Sequence, residues 1–293
     1  MDMELFGGGV NATFHHNLLA HHDSRTPPRL GPGTKHAGTD TTDIRNNVFY
    51  NWNGNGCYGG EAMHVNIINN YYKPGPATGD RIKNRITAIN TNKGTKGFER
   101  IKDIWGGKYY ISGGNILPHN EEITRNNWLG VNVSDNKNSA ELRLNEPLNV
   151  GKIITHDAHT AYKKVLMYAG CSKVRDLIDK RIVDETMNGT ARFIGRSKYN
   201  GEGGQWKSLN YPRKGIIDSQ SDLNPDPDNK NWSAWPELLS EASLPDSDRD
   251  GIPDGWLDNN YPGKKAIDVH EQGYTYLEVY LNSLVEEITT GQK

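Results

Sequence analysis

Val65-Asn66-Ile67-Ile68-Asn69-Asn70-Tyr71-Tyr72 is a repeat of an earlier stretch, Thr42-Asp43-Ile44-Arg45-Asn46-Asn47-Val48-Phe49-Tyr50. Ala12-Thr13-Phe14-His15-His16-Asn17-Leu18-Leu19 precedes both, and Ile123-Thr124-Arg125-Asn126-Asn127-Trp128 reads as a later, looser copy. Each carries an apolar or β-branched run, a polar pair ending in Asn, and a return to apolar residues. From Asn47 to Asn70 is 23 residues. A unit of that length, strand-turn-strand in character, is the mark of a solenoid whose coils stack. Asn suits the recurring turn for two reasons. Its amide both donates and accepts, so stacked copies can satisfy one another and the turn backbone. It also tolerates the left-handed conformation of a sharp turn. The competing reading is Asn-rich loops between antiparallel strands. The pattern favours a mainly β parallel solenoid, because each pair follows a β-branched run.

Composition agrees. The chain of 293 residues holds 32 Gly and 31 Asn, more than a fifth of all positions, which excludes long helices over most of it. Of these Asn, 22 fall in residues 1–150, so the repeat belongs to that half. A formal net charge of -2 gives no support to a nucleic-acid partner. There is no apolar run long enough for a membrane span. Two cysteines, Cys57 and Cys171, make no disulfide scaffold, and two separate thiols are the simpler expectation. The start, Met1-Asp2-Met3-Glu4-Leu5-Phe6, has no signal-peptide character, and the residues that follow it read as the middle of a strand. A solenoid opened there would expose coil surface at Phe6, Val10, Phe14 and Leu18.

Three parts follow: parallel coils with a long lateral loop over 1–140, a helical segment and return strand over 141–222, and a C-terminal tail over 223–293. Lys73-Pro74-Gly75-Pro76 stops a strand, and Asn90-Thr91-Asn92-Lys93-Gly94 lies in the lateral loop. Tyr162, Val165, Leu166 and Ala169 have helical spacing, with Gly170 as a stop. Ser172 reads as the cap of a second helix carrying Val174, Leu177, Ile178 and Ile182, with Arg175, Asp176, Asp179, Lys180 and Arg181 as its solvated face. Gly215-Ile216-Ile217-Asp218 returns to a short strand.

Two constellations carry chemistry. In Ser24-Arg25-Thr26-Pro27-Pro28-Arg29, prolines brace the backbone and fix two guanidinium groups, which suit carboxylates and hence a polymer of acid sugars. Alone, this is as compatible with two surface arginines in a Pro-rich turn. Asp246-Ser247-Asp248-Arg249-Asp250-Gly251-Ile252-Pro253-Asp254 places carboxylates at the spacing of a calcium loop with Gly at the sharp turn. Asp246, Asp248, Asp250, Asp254 and the Ile252 carbonyl are the expected ligands of one structural calcium. Leu257 stands where a bidentate Glu is usual. His15, His16, His21 and His22 form adjacent pairs that point to opposite faces, so packing or turn capping is expected, not a metal.

The segment Gly8–Arg25 resembles the pectate lyases of polysaccharide lyase family 1, in their Bacteroidetes form. Arg45–Trp52, Tyr58-Gly59-Gly60-Glu61, Val65–Pro76, Tyr168–Ser172, Arg175-Asp176, the aspartate loop and Tyr274–Asn282 are similar to that family too. The resemblance implies a right-handed parallel β-helix, a secreted or periplasmic monomer, calcium, and β-elimination of polygalacturonate. It makes Arg25, which opens an Arg-x-Pro motif, the base that removes the C5 proton. It makes Arg29, displaced by one extra Pro, the group that binds a substrate carboxylate. An arginine acts as a base only where its pKa is lowered, which like-charge repulsion from calcium would do. The family's acidic calcium ligands lie on coils before the point where this chain begins, where only Asp2 and Glu4 precede Gly7, and the family's upstream lysine is absent. The chain therefore resembles the C-terminal part of such an enzyme. The rival expectation is a catalytically silent β-helix that binds acidic glycans.

Overall fold

The computed structural model describes residues 12–30, 38–91, 99, 103–134, 139–195, 214–226, 228–238 and 240–293, with the backbone of 2–5. Twelve strands are described: β1 (Asp2–Leu5), β2 (Ala12–His15), β3 (Leu18–Ala20), β4 (Ser24–Leu30), β5 (Thr41–Arg45), β6 (Val48–Tyr50), β7 (Tyr58–Gly59), β8 (His64–Ile68), β9 (Tyr71–Lys73), β10 (Thr87–Ile89), β11 (Lys108–Ile111) and β12 (Val131–Val133). They form three sheets ordered β1-β4-β7-β10-β12, β11-β8-β5-β2 and β3-β6-β9. Every ladder is parallel. The chain thus visits the three sheets in turn, and the order of visits repeats: β2-β3-β4, β5-β6-β7, β8-β9-β10. The first three copies of the Asn motif are each two strands in different sheets, with the polar pair at the corner between them.

The corner is built as the amide chemistry requires. The Asn47 backbone N–H and side-chain amide both donate to Asn70 Oδ1, at 3.0 and 3.1 Å. Asn17 does the same to Asn47, and Asn70 to Asn115. Each amide also reaches a backbone carbonyl of the neighbouring coil: Asn47 to Phe14, Asn70 to Ile44, Asn115 to Ile67. The residue before each Asn in the three copies is left-handed, with φ of 53° at His16, 54° at Asn46 and 51° at Asn69. Inside the coils lie Leu30, Ile44, Phe49, Trp52, Ile67, Tyr72, Ile89 and Tyr109.

β5 is buried on both faces. Its outward Asp43 and Arg45 form a two-pronged ion pair, Nε–Oδ2 and Nη2–Oδ1 both 2.6 Å, and Asn66 on β8 donates to Asp43. Residues 148–156 run over this face: Leu148 N–H donates to Asn66, Arg45 donates to Thr155, and His156 N–H donates to Asn46. A charged pair is tolerated there because both partners are hydrogen-bonded.

Helices α1 (Asp80–Lys83) and α2 (Glu121–Arg125) interrupt the coils. α3 (Ala158–Tyr168) and α4 (Leu177–Asn188) pack beside the third sheet, and α5 (Trp256–Asn260), α6 (Tyr276–Ser283) and α7 (Glu286–Gln292) lie in the tail. Tyr71 stacks on Tyr162 with ring centroids 4.4 Å apart, and Tyr50 Oη donates to the Thr190 carbonyl. Glu185, fully buried, has His21 Nε2 2.9 Å from its carboxylate and accepts from Arg181 at 3.3 Å. Burial alone would push its carboxyl up; the contact with His21, the Arg181 charge and the Arg192 N–H hold it below the usual range.

Several expectations are corrected. The stretch 123–128 is not a strand copy. Asn120 caps α2 by accepting from Ile123 N–H, and two glutamates sit in its first turn. The fourth rung is instead Asn115, after Ser112-Gly113-Gly114, where a Cβ at Gly114 would fall 1.9 Å from Asn69 Oδ1. Asn127 continues the ladder by accepting from Asn115 N–H. The stretch 73–140 holds β10, β11 and β12; of its lateral loop, 92–98 lie outside the described residues. α4 is capped by Asp176, which accepts from the N–H groups of Ile178 and Asp179, not by Ser172; Val174 precedes the helix and is exposed. Its charged face is partly structural: Arg175 donates to the carbonyls of Leu166, Met167 and Ala169, closing the end of α3. Among the described residues, the return strand is reduced to an antiparallel bridge between Ile194 and Lys214. Both cysteines are free, as expected. Phe14 and Leu18 are half-buried, while Phe6 and Val10 lie outside the described residues.

Candidate active site and acidic loop

Arg25 and Arg29 stand on β4, which pairs with β1 on one side and β7 on the other. Ser24, Thr26, Pro27, Pro28 and Leu30 are buried, and the two arginines are the half-exposed members of the strand. The strand is not regular. Asp2 pairs with Ser24 but Glu4 pairs with Arg29, so extra residues bulge from β4 between them. Arg25 has φ 58°, a left-handed conformation uncommon for a residue with a side chain. Its neighbours enforce it: Arg25 N–H donates to the Asn55 carbonyl at 2.6 Å, and Ser24 Oγ donates to the same carbonyl at 3.4 Å. The Thr26–Pro27 peptide is cis, and His22 Nδ1 lies 2.5 Å from Thr26 Oγ1.

The adjacent strand supplies what both arginines touch. Leu30 pairs with Gly59, which sets Arg29 beside Tyr58. Arg25 Nε donates to Tyr58 Oη at 3.3 Å, and the Arg29 guanidinium carbon lies 5.2 Å from the Tyr58 ring centroid. Gly59 is required at this close approach: with φ 95°, a Cβ would meet the Leu30 carbonyl oxygen at 2.2 Å. Ala88 pairs with Tyr58 and with Asn132, so Arg29, Tyr58, Ala88 and Asn132 form one row across four strands. None of the four is buried. Arg85 donates to Asn55 Oδ1, sharing with Arg25 the residue that holds the bulge. Behind the row, burial pushes the Cys57 thiol up to about 11, against a Thr87 hydrogen bond and the Arg85 charge, so Cys57 is no nucleophile.

The acidic loop gathers part of its expected set. Oxygens of Asp246, Asp248 and Asp254 lie within 4.8 Å of one another, the one group of three possible metal-binding side chains among the described residues. Asp250 is turned to the loop backbone, where its Oδ1 accepts from Ile252 N–H at 2.9 Å. Asp246 accepts from the N–H groups of Asp250 and Gly251, and Asp254 from Ser247 N–H and Oγ. Those Ser247 bonds hold the Asp254 carboxyl below its ordinary range. Three hard carboxylates with free lone pairs fit a calcium ion by donor type.

No family model matches the chain. Curated proteins do. A protein of Aspergillus flavus named "Probable pectate lyase C" is 27% identical over 288 residues, 95% of this chain and 54% of its own length. Its namesake in Aspergillus terreus is 28% identical over the same shares, and that of Emericella nidulans 25% over 96% and 53%. The chain is a distant relative of these probable pectate lyases. It spans about half the length of the curated relatives it matches.

Within this pectate lyase relative, sequence reasoning singled out Arg25, Arg29 and the loop but not Tyr58 or Asn55. Tyr58 was visible only as the residue before Gly59-Gly60. Its significance lies in the register between β4 and β7, which depends on a bulge that no periodicity reveals. The histidines follow the packing expectation. His21 meets Glu185 and Asn51, while His15, His16 and His156 form a chain of contacts at 2.8 and 2.9 Å that does not converge on one point. No helix of the described residues is long and apolar enough to cross a membrane.

Proposed function

We propose that the three-sheet stack is a right-handed parallel β-helix and that the protein is a pectate lyase, cleaving α-1,4-polygalacturonate by β-elimination. The carrying observation is that Arg25 and Arg29, from one bulged strand, meet at Tyr58 on the unburied row of the first sheet. Support comes also from relatives named for the activity. Arg29 binds a uronate carboxylate through its planar fork. Arg25 takes the C5 proton; the electrons left at C5 form the C4–C5 double bond as the C4–O bond breaks, and the leaving oxygen gains a proton from solvent. Calcium, when bound at the substrate carboxylate, supplies positive charge that acidifies the C5 proton. The described residues beside Arg25 hold no acidic cage for such an ion. The ion this chain's own residues fit is structural, at Asp246, Asp248 and Asp254, with Asp250 and the Ile252 carbonyl completing the set after the loop turns. The reading includes a monomer, secreted or periplasmic, organised as coils over 1–140, a helical segment over 141–222 and a tail over 223–293.

The test is the ultraviolet absorbance of the unsaturated product when the complete gene product meets polygalacturonate with calcium at alkaline pH. A rise that depends on enzyme concentration supports the reading. Binding of the polymer without any rise would leave the silent glycan-binding protein in its place.

A further inference from the structure

Tyr58 belongs to no assigned set, yet both arginines of the site converge on it. We propose that Tyr58 is a positioning residue for the two cations: its hydroxyl orients Arg25 and its ring orients Arg29, so that both meet an acid sugar at one fixed spacing. This rests on the reading of Arg25 as base and Arg29 as carboxylate ligand.

The geometry divides the tyrosine into two functions. At its rim, Oη accepts from Arg25 Nε at 3.3 Å. That bond fixes the rotation of the guanidinium about its stem, and so the direction of its terminal nitrogens. Across its face, the ring lies 5.2 Å from the Arg29 guanidinium carbon, within the range of a cation–π contact. Few side chains can do both. Phe has the face without the acceptor. Trp has the face, but its ring nitrogen only donates and so offers nothing to another donor. Tyr58 is itself well placed to act as a reference point. β7 is paired on both sides, by β4 through Leu30–Gly59 and by β10 through Tyr58–Ala88. The bulge in β4 explains why a second strand is needed. A left-handed Arg25 throws its side chain off the line of the strand, and β4 alone does not set where it ends. Arginine carries many rotamers, and a misplaced reacting group costs rate steeply.

The experiment compares Tyr58→Phe and Tyr58→Leu in the complete gene product, with circular dichroism melting as the fold control. Steady-state cleavage of polygalacturonate gives kcat and KM; calorimetry with trigalacturonate gives affinity without turnover. Tyr58→Phe should lower kcat about tenfold with KM and affinity within about twofold of wild type, because only the Arg25 bond is lost. Tyr58→Leu should lower kcat similarly and also weaken trigalacturonate about fivefold or more, because the ring under Arg29 is lost too. A merely structural tyrosine would not split kcat from affinity between the two variants. Wild-type kcat in Tyr58→Phe, while Arg25→Lys is inactive, would overturn the Arg25 half. Equal affinity of Tyr58→Phe and Tyr58→Leu would overturn the Arg29 half. If the wild type itself turns nothing over, the lyase reading fails and the Arg25 half with it, and calorimetry alone decides the Arg29 half.

Discussion

Asn70 Oδ1 receives two hydrogen bonds from Asn47, one from its backbone N–H and one from its side chain, in a fully buried corner. Asn70 also donates to the Ile44 carbonyl. Asn70→Ala should therefore strand the Asn47 N–H and take a donor from the Ile44 carbonyl where water cannot reach them, while the Asn47 amide keeps its bond to the Phe14 carbonyl. Each unsatisfied group costs about 1–3 kcal/mol, so a loss of about 2 kcal/mol or more is expected. Urea unfolding followed by circular dichroism reads it as a lower midpoint. A loss under about 1 kcal/mol would mean that the ladder is incidental to stability.

The corner Asn residues were legible because they combine a local conformational demand with a repeat. Asn46 and Asn69 both need positive φ, and the next residue must both donate and accept. Asn115 escaped because Gly114 precedes it in place of a left-handed residue, at a point where a Cβ would meet Asn69 Oδ1 at 1.9 Å. The same local chemistry misled at 123–128, where Asn120 and two glutamates start a helix and the tertiary role of Asn127 is unmarked. The arginines were legible as a pair braced by prolines. What they touch was not, since it is set by a bulged register between strands almost thirty residues apart.

His16 tests the same corner through pH. It stands where later coils have Asn46 and Asn69, with the same left-handed φ. Burial, then the charges of His15, His156 and Lys164, lower its pKa to about 4. The folded protein then binds fewer protons at His16 than the unfolded chain between about 4 and the ordinary 6.5. This contribution to stability is present above pH 6.5 and lost as pH falls toward 4. His16→Asn keeps the turn and removes the titration. Its urea midpoint should fall less than that of wild type between pH 7 and pH 4. Burial depresses His64 and His119 as well, so the readout is the difference between the two proteins. Parallel pH profiles would refute the assignment.

Carboxylates held as close as Asp246, Asp248 and Asp254 repel unless a cation lies among them. If calcium fills the loop, a chelator should lower the melting temperature of the wild type by several degrees, and restored calcium should recover it. Asp248→Ala should melt at one temperature with or without chelator. Asp258→Ala, outside the cluster, should keep the wild-type response. A wild-type melting temperature indifferent to chelator would rule out a stabilising ion at this loop.

Arg25 offers the sharpest test of the chemistry. Arg25→Lys keeps one positive charge on a flexible stem but loses the planar fork and the Nε that donates to Tyr58. The left-handed backbone at this position is held by Arg25 N–H and Ser24 Oγ on the Asn55 carbonyl, neither of which the substitution removes. Folding should therefore survive, with a melting temperature within about 2 °C of wild type, since surface changes of this kind typically shift stability by about 0.5 kcal/mol or less. Turnover should not survive. In the complete gene product, release of unsaturated product should drop by about a thousandfold or more, in the range seen when a proton-transferring group is lost. Arg29→Lys should instead raise KM for polygalacturonate more than it lowers kcat, because it weakens a carboxylate contact present before and during the reaction. Full activity of Arg25→Lys would show that Arg25 is not the base, and a KM unchanged in Arg29→Lys would remove Arg29 from the substrate's carboxylate.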